Sequence, residues 1–95
     1  MLLLRKFKVL GHSMEPTIGN GKFVLVSRMP YLFSKPKVKD VVAFKNGKEV
    51  LIKRIVKISS DKYTVEGDNP NDSLDSRNFG SVIKNDILGK VVYKF

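Results

Sequence analysis

Two residue types in this chain could together perform nucleophilic catalysis: a serine in a turn and a lysine in an apolar strand. Ser13 lies in residues 11–17, GHSMEPT, between a strand-like run and a proline. Such a setting can keep a hydroxyl exposed on a rigid backbone, although an ordinary turn serine is the alternative. The run is not a G-x-S-x-G nucleophile elbow, because Glu15 occupies the place of the last glycine.

The chain has one histidine, His12, and it is poorly placed to activate Ser13. Adjacent residues of an extended segment point to opposite sides, so we expect the ring to face away from the hydroxyl. A Ser-His-Asp triad needs a histidine that can reach the serine, and the chain offers no second one. A serine nucleophile would therefore need a lysine, a carboxylate or an N-terminal amine as its base.

Lys53 is the lysine best suited to that role. It lies in a strand-like run, residues 48–58, in which Leu51 and Ile55 share its side by alternation. Desolvation between aliphatic side chains lowers the pKa of a lysine towards neutrality, and a neutral amine can take a proton. Arg54 cannot serve, because a guanidinium stays charged in proteins. The alternative is a lysine whose ammonium group reaches solvent.

The hairpin predicted before Lys53 affects whether this lysine can act as a base. Asn-Gly at residues 46–47 is a typical two-residue hairpin turn, and a turn centred there would set Asp40 opposite Lys53. A close carboxylate would raise the pKa of the lysine and weaken it as a base. We therefore expect a bulge or a frayed strand start to separate the two residues, or Asp40 to pair with Arg54.

Sequence period predicts a mostly β fold. No stretch keeps a helical period, and turn signals separate short runs that are β-branched or alternating, at residues 22–27, 40–44, 48–58, 63–66 and 89–93. A chain of 95 residues suffices for one core. We predict a single compact domain of antiparallel hairpins, spanning residues 1–95.

Composition limits the kinds of site and partner. Without cysteine, and with one histidine, the chain cannot form thiolate or histidine-cluster metal sites, and we expect neither metal nor cofactor. The net charge of +9 suits an anionic partner or simply a lysine-rich solvated surface.

The apolar start MLLL ends at Arg5, short of the about 20 residues of a membrane span. A soluble cytoplasmic protein is favoured, with peripheral membrane contact as the alternative.

The irregular segment 28–39 is a second candidate for function. It joins the apolar run MPYLF, residues 29–33, to Arg28 and to the lysines that follow at 35, 37 and 39. Such a segment could rest on an anionic membrane. It could equally form a wall of a substrate groove or pack on the core.

Three segments together resemble the type I signal peptidase family. Its nucleophile box, Ser-Met-x-Pro-Thr, is matched by residues 13–17, and its lysine box, Lys-Arg before apolar residues, by residues 53–56. Its third box is a Gly-Asp-Asn run followed by Ser-x-Asp-Ser-Arg and a glycine, matched by residues 67–69, 73–77 and Gly80. Alone, the third segment would be an acidic surface loop. The three boxes occur in the family's order over most of the chain.

The resemblance implies a signal-peptidase-like catalytic core and a serine endopeptidase with a Ser/Lys dyad. Ser13 would attack the scissile carbonyl, Lys53 would take its proton, and the N–H of Ser13 would donate to the oxyanion. The partner would be a precursor protein with an N-terminal leader peptide. Ser73 would orient the lysine, and Asp75 and Arg77 would form a structural ion pair. Arg54 and Gly11 would also support the site. The substrate site would be lined by Leu10, Gly11 and Met14.

The compact pattern looks most similar to the nickel-type superoxide dismutase maturation proteases, soluble relatives that trim a leader from a precursor. The anchor-less core of a membrane-associated signal peptidase is an alternative. Two alternatives come from other classes: a non-catalytic basic β module that binds nucleic acid, and a self-cleaving regulator. The aromatics form no interleaved RNA-binding motif, so we expect no nucleic acid, and the twelve residues before Ser13 leave little room for a cleavable regulatory segment.

Overall fold

A computed structural model gives the structure of the chain and describes residues 4–71 and 80–95. Within these residues one seven-stranded sheet, antiparallel at every pairing, carries most of the regular structure, which confirms the predicted mostly β fold. The elements are β1 (Leu4–Lys8), β2 (Phe23–Ser27), α1 (Pro30–Phe33), β3 (Val41–Asn46), β4 (Glu49–Ser59), β5 (Lys62–Glu66), β6 (Val82–Ile83), a 3-10 turn (Lys84–Asp86) and β7 (Ile87–Lys94).

The sheet is built from hairpins, with the last strand inserted among the early ones. Its order is β1-β2-β7-β3-β4-β5-β6, so β7 lies between β2 and β3. Gly89 of β7 permits a close approach to β2, because a Cβ at this position would lie 2.6 Å from the carbonyl oxygen of Ser27. A glycine here is therefore a packing requirement of the central strands.

Both faces of the central strands are buried, which explains why β3 and β4 are apolar on both sides. Consecutive residues of β3 alternate between two core clusters, with Ala43 in the first and Val42 and Phe44 in the second. The first cluster contains Val9, Met14, Ile18, Val24, Val26, Ala43 and Ile52. The second contains Val42, Phe44, Ile55, Tyr63, Val65 and Val82.

The β3–β4 hairpin turns one residue later than the sequence predicts. Asn46 lies opposite Glu49, so the central residues of the turn are Gly47 and Lys48. Gly47 has a φ of +64°, and a glycine with positive φ at the first central position is typical of a type II′ turn.

Because the turn comes one residue later, the Asp40 carboxylate is not placed opposite Lys53. Lys53 lies opposite Val42, and Asp40 is opposite Ile55, whose N–H donates to the Asp40 carbonyl at 2.8 Å. The predicted opposition of Asp40 and Lys53 is therefore wrong. The separation comes from the register of the whole hairpin, and neither a bulge nor an Asp40–Arg54 pair is needed to explain it.

Candidate active site

The loop between β1 and β2 carries Ser13 on a base of buried apolar residues. Met14 and Ile18 belong to the first core cluster and hold the loop from below. The loop is closed on itself, because the N–H of Ile18 donates to the Met14 carbonyl at 2.9 Å and that of Glu15 to the His12 carbonyl at 3.1 Å. Ser13 is half-buried between the exposed His12 and the fully buried Met14.

Lys53 reaches this loop from the middle of β4. Its side chain is buried, with 4% of the residue exposed. The Lys53 Nζ donates a hydrogen bond of 2.6 Å to the Ser13 Oγ. The structure thus brings together two side chains that are 40 positions apart in the chain.

A groove of about 520 Å³ runs up to this pair. One wall is formed by residues 8–13, the end of β1 and the start of the loop, and the other by residues 49–53 of β4. Leu10 and Gly11, predicted to line a substrate site, lie in the first wall. Met14 was predicted there too, but it is fully buried in the first core cluster, where its apolar side chain anchors the loop.

Arg54 and Asp68 tie three parts of the site together. The Arg54 Nε and Nη2 donate to the two carboxylate oxygens of Asp68 at 2.9 and 2.8 Å, and the Thr17 Oγ1 donates to the same carboxylate at 2.5 Å. The Arg54 Nη1 also donates to the Lys39 carbonyl at 2.8 Å. The hydrogen bonds from Arg54 lower the pKa of Asp68, and the same contact raises the pKa of Arg54. The pair therefore stays charged and joins β4, the loop between β1 and β2, and the segment after β5.

Asn69 holds the backbone on both sides of the Ser13 peptide nitrogen and carbonyl. Its N–H donates to the Ser13 carbonyl at 2.8 Å, and its side-chain Nδ2 donates to the His12 carbonyl at 3.1 Å. The Asn69 Oδ1 in turn accepts from the N–H of Asn71 at 3.2 Å. Sequence reasoning missed this residue as a site residue, although its place beside Asp68 in the third box was a signal that could have found it.

His12 is paired with a carboxylate at the rim of the groove. Its Nδ1 lies 2.9 Å from the Glu15 Oε2, and both side chains are exposed. The hydrogen bond from His12 lowers the pKa of Glu15. This pair joins two side chains of the turn that carries Ser13.

Three predicted supporting residues, Ser73, Asp75 and Arg77, lie outside the described residues. Their roles therefore stay predictions.

Across residues 4–71 and 80–95 no group of three His, Cys, Asp or Glu side chains is arranged to hold a metal ion. In the same ranges no helix has the length and apolar character needed to cross a membrane.

The chain matches the family described as "Signal peptidase, peptidase S26" over residues 1–59 and 56–95. It belongs to this family. The family resemblance predicted from the three boxes is therefore confirmed, while the narrower similarity to dismutase maturation proteases stays a prediction.

Two curated relatives from Arabidopsis thaliana are similar to this member of the S26 family. Thylakoidal processing peptidase 1, chloroplastic, is 27% identical over 133 aligned positions, and probable thylakoidal processing peptidase 2, chloroplastic, is 28% identical over 130. Each alignment covers 87% of this chain. The chain spans only 39% and 35% of the length of these relatives.

Proposed function

We propose that this protein is a serine endopeptidase that removes an N-terminal leader or signal peptide from precursor proteins. Ser13 is the nucleophile and Lys53 the general base. The observation that carries the proposal is the 2.6 Å contact between the Lys53 Nζ and the Ser13 Oγ at a groove of a signal peptidase family chain. The two curated relatives are named processing peptidases, which supports the same class of reaction.

Burial supports Lys53 as the base. Removing an amine from water disfavours its charged form, and Lys53 is buried opposite the apolar Val42. In the neutral form the Nζ accepts the hydrogen bond and takes the proton as the Ser13 Oγ bonds to the scissile carbonyl carbon. The protonated amine then gives that proton to the leaving amine. Water hydrolyses the acyl-enzyme with Lys53 again as the base.

Asn69 supports a backbone oxyanion site. In a trans peptide group the C=O and N–H point in opposite directions. Asn69 holds the His12 carbonyl on its own side, so the N–H of Ser13, which belongs to the same peptide group, is turned the other way. That N–H is the proposed oxyanion donor. Gly11 offers no side-chain donor, so stabilisation depends on backbone amides.

The groove suits an extended peptide. β5 pairs with β4 from Arg54 onwards, whereas residues 49–52 of β4 precede that pairing and pair with β3 on their other side. Within the described part of the chain, the edge of β4 that borders the groove can therefore add a substrate strand through backbone hydrogen bonds. A leader peptide that lacks tertiary structure can adopt this conformation. A dismutase precursor is one substrate to include in the assay.

The test compares cleavage of an unstructured leader peptide by the parent and by Ser13→Ala, Lys53→Ala and Lys53→Arg. Each variant is expected to lose at least about a thousandfold in kcat/KM, and the arginine variant fails because guanidinium stays charged. Lys57→Arg and Lys57→Ala are matched controls on an exposed position of the same strand and should keep the parental rate. The pH–rate profile of the parent should rise on a limb set by the lysine. Parental cleavage by Ser13→Ala and Lys53→Ala would refute the dyad.

A further inference from the structure

One face of the sheet carries aromatic rings next to lysines. Phe7 of β1 packs against the first core cluster and lies opposite Val24, which belongs to that cluster. The next pair along the two strands is Lys8 opposite Phe23. Neighbouring residues of a strand point to opposite faces, so Lys8 and Phe23 lie on the outer face of the sheet. Lys6 shares this outer face by the same alternation.

Contacts between side chains join these residues into one group. The Phe23 ring stacks on the Phe95 ring with 6.0 Å between centroids, and the Phe95 ring lies 5.8 Å from that of Tyr93. The Lys6 Nζ is 4.5 Å from the centre of the Phe23 ring and 5.9 Å from that of the Phe95 ring. The Lys8 Nζ is 6.0 Å from the centre of the Phe23 ring. We call these five residues the aromatic-lysine face.

The aromatic-lysine face is open to solvent and held in place by the strands beneath it. Tyr93 and Phe95 are exposed to 61% and 50%, and both lysines are exposed. Lys94, between the two aromatics, points the other way, since its Nζ donates to the Thr17 carbonyl at 2.6 Å. The N–H groups of Phe23 and Phe95 each donate to the carbonyl of the other, at 2.8 and 2.9 Å. The rings are therefore fixed on the outer face.

The strands that carry this face have positive charge and no negative charge. None of the residues of β1, β2 and β7 is acidic, and the cationic ones are Arg5, Lys6, Lys8, Lys90 and Lys94. An ammonium group over a ring is attracted to the π system, and its N–H donors can still reach an outside acceptor. The face therefore complements a partner that offers carboxylates next to apolar or aromatic side chains.

The face begins where the groove ends. Lys8 belongs both to the groove lining and to the aromatic-lysine face, and Ser13 lies at the other end of the same wall. Residues 49–53, the opposite wall, span about 13 Å at about 3.3 Å per residue. An extended peptide therefore leaves the groove about five residues from the scissile bond. Glu49 of that wall repels acidic side chains inside the groove, so the attraction to acidic residues acts beyond it.

We propose that the aromatic-lysine face is an exosite for an acidic segment of the leader peptide. This inference rests on the proposed function and narrows its substrates to precursors whose leader carries Asp or Glu, together with apolar residues, from about the sixth position before the scissile bond. Lys6 and Lys8 donate to the carboxylates, and the exposed rings pack against the apolar side chains. The segment belongs to the leader because the leader lacks tertiary structure, whereas the mature part of a precursor has to fold.

Binding is measured first, without cleavage. A fluorescent peptide of alternating acidic and apolar residues is titrated with the full chain in a Ser13→Ala background, and its anisotropy is followed. Binding should saturate, weaken as salt rises, and be absent for a peptide with Lys in place of Asp and Glu. Lys6→Gln should weaken it about threefold and Tyr93→Ser about fivefold. Lys62→Gln, at an exposed position of β5, is the matched control and should bind like the parent.

Cleavage then assigns the exosite to the leader. Three substrates share one cleavage site: a short peptide that ends with the groove, the same peptide with an acidic extension at its amino end, and one with that extension at its carboxyl end. The amino-terminal extension should raise kcat/KM about tenfold, through KM. Lys6→Gln should reduce this ratio about threefold, and Lys62→Gln should leave it at the parental value.

Four outcomes would overturn the proposal. Equal binding of the acidic and the lysine peptide would exclude recognition by charge. Equal behaviour of Lys6→Gln and Lys62→Gln would exclude this face. A gain from the carboxyl-terminal extension alone would assign the face to the mature part of the precursor. Tighter binding of single-stranded oligothymidylate than of the acidic peptide would identify nucleic acid as the occupant. Binding of the acidic peptide without cleavage of any substrate would instead support the face and count against the peptidase reaction.

Discussion

Replacing Asp68 by asparagine tests whether the tie between Arg54 and Asp68 stabilises the site. The change keeps the size of the side chain and removes its charge. The carboxylate accepts from the Arg54 Nε and Nη2 and from the Thr17 Oγ1, whereas an amide has one oxygen to share among these donors. Asp68→Asn should therefore destabilise the fold and loosen the loop that carries Ser13.

The magnitude follows from the geometry and the exposure of the pair. Hydrogen bonds to charged groups contribute about 1.5–3 kcal/mol each, and two join Arg54 to Asp68. The side chains are 30% and 16% exposed, so solvent screening reduces their value. We expect a loss of about 2–3 kcal/mol, and a fall in Tm of about 10–20 °C for a domain of this size.

Asp61→Asn is the matched control for this change. It removes the same charge from an exposed position in the β4–β5 turn, and it should alter stability by no more than about 0.5 kcal/mol. Because both variants raise the net charge equally, general repulsion cancels between them. Thermal unfolding of the two variants within about 2 °C of each other would refute the reasoning, given the shift expected for a domain of this size.

Acid titration adds a second arm to the same experiment. The hydrogen bonds from Arg54 hold the pKa of Asp68 in the folded protein below its ordinary value. A depressed folded pKa contributes stability that is fully present above the unfolded pKa and is lost as pH falls through the folded pKa. The difference in free energy of unfolding between parent and Asp68→Asn should therefore be constant above about pH 5 and shrink in more acidic solution. A difference that is undiminished well below the folded pKa would contradict the assigned ion pair.

Two further variants test the packing of the sheet and the orientation of the nucleophile. Gly89→Ala should destabilise the fold by about 3 kcal/mol or more, since overpacking against backbone cannot be relieved by a side-chain move, and its Cβ would lie 2.6 Å from the Ser27 carbonyl oxygen. Gly19→Ala is the control, because its Cβ would lie 3.7 Å from the nearest neighbouring atom. In chemical denaturation Gly19→Ala should be about as stable as the parent. Equal stability of Gly89→Ala and Gly19→Ala would contradict the close packing of β2 and β7. Asn69→Asp keeps the acceptor of Asn69 and loses the donor to the His12 carbonyl, so kcat should fall about tenfold with KM little changed. A change confined to KM would count against a role in orienting the oxyanion donor.

The strands could be predicted because their signal is local. Alternation and β-branched runs indicated five strands, and each overlaps an observed one, including β4 (Glu49–Ser59) and β7 (Ile87–Lys94). The turn of the β3–β4 hairpin could not be predicted in the same way. Asn-Gly favours a turn centred on residues 46–47. In the structure the turn is centred on residues 47–48, and in that register Val42, Ala43 and Phe44 are buried in the two core clusters. Tertiary packing overrides a local turn preference of this size.

The sequence identified the residue types of the candidate site, and the fold decided the distances and hydrogen bonds between them. The boxes around Ser13 and Lys53 identified a hydroxyl and an amine that could act together, because the chemistry available to a side chain is fixed by its type. The 2.6 Å contact between them and the hydrogen bonds from Asn69 to the Ser13 and His12 carbonyls depend on chain segments far apart in sequence. Such contacts arise only when registers and core packing place those segments side by side, so only the tertiary structure could decide them.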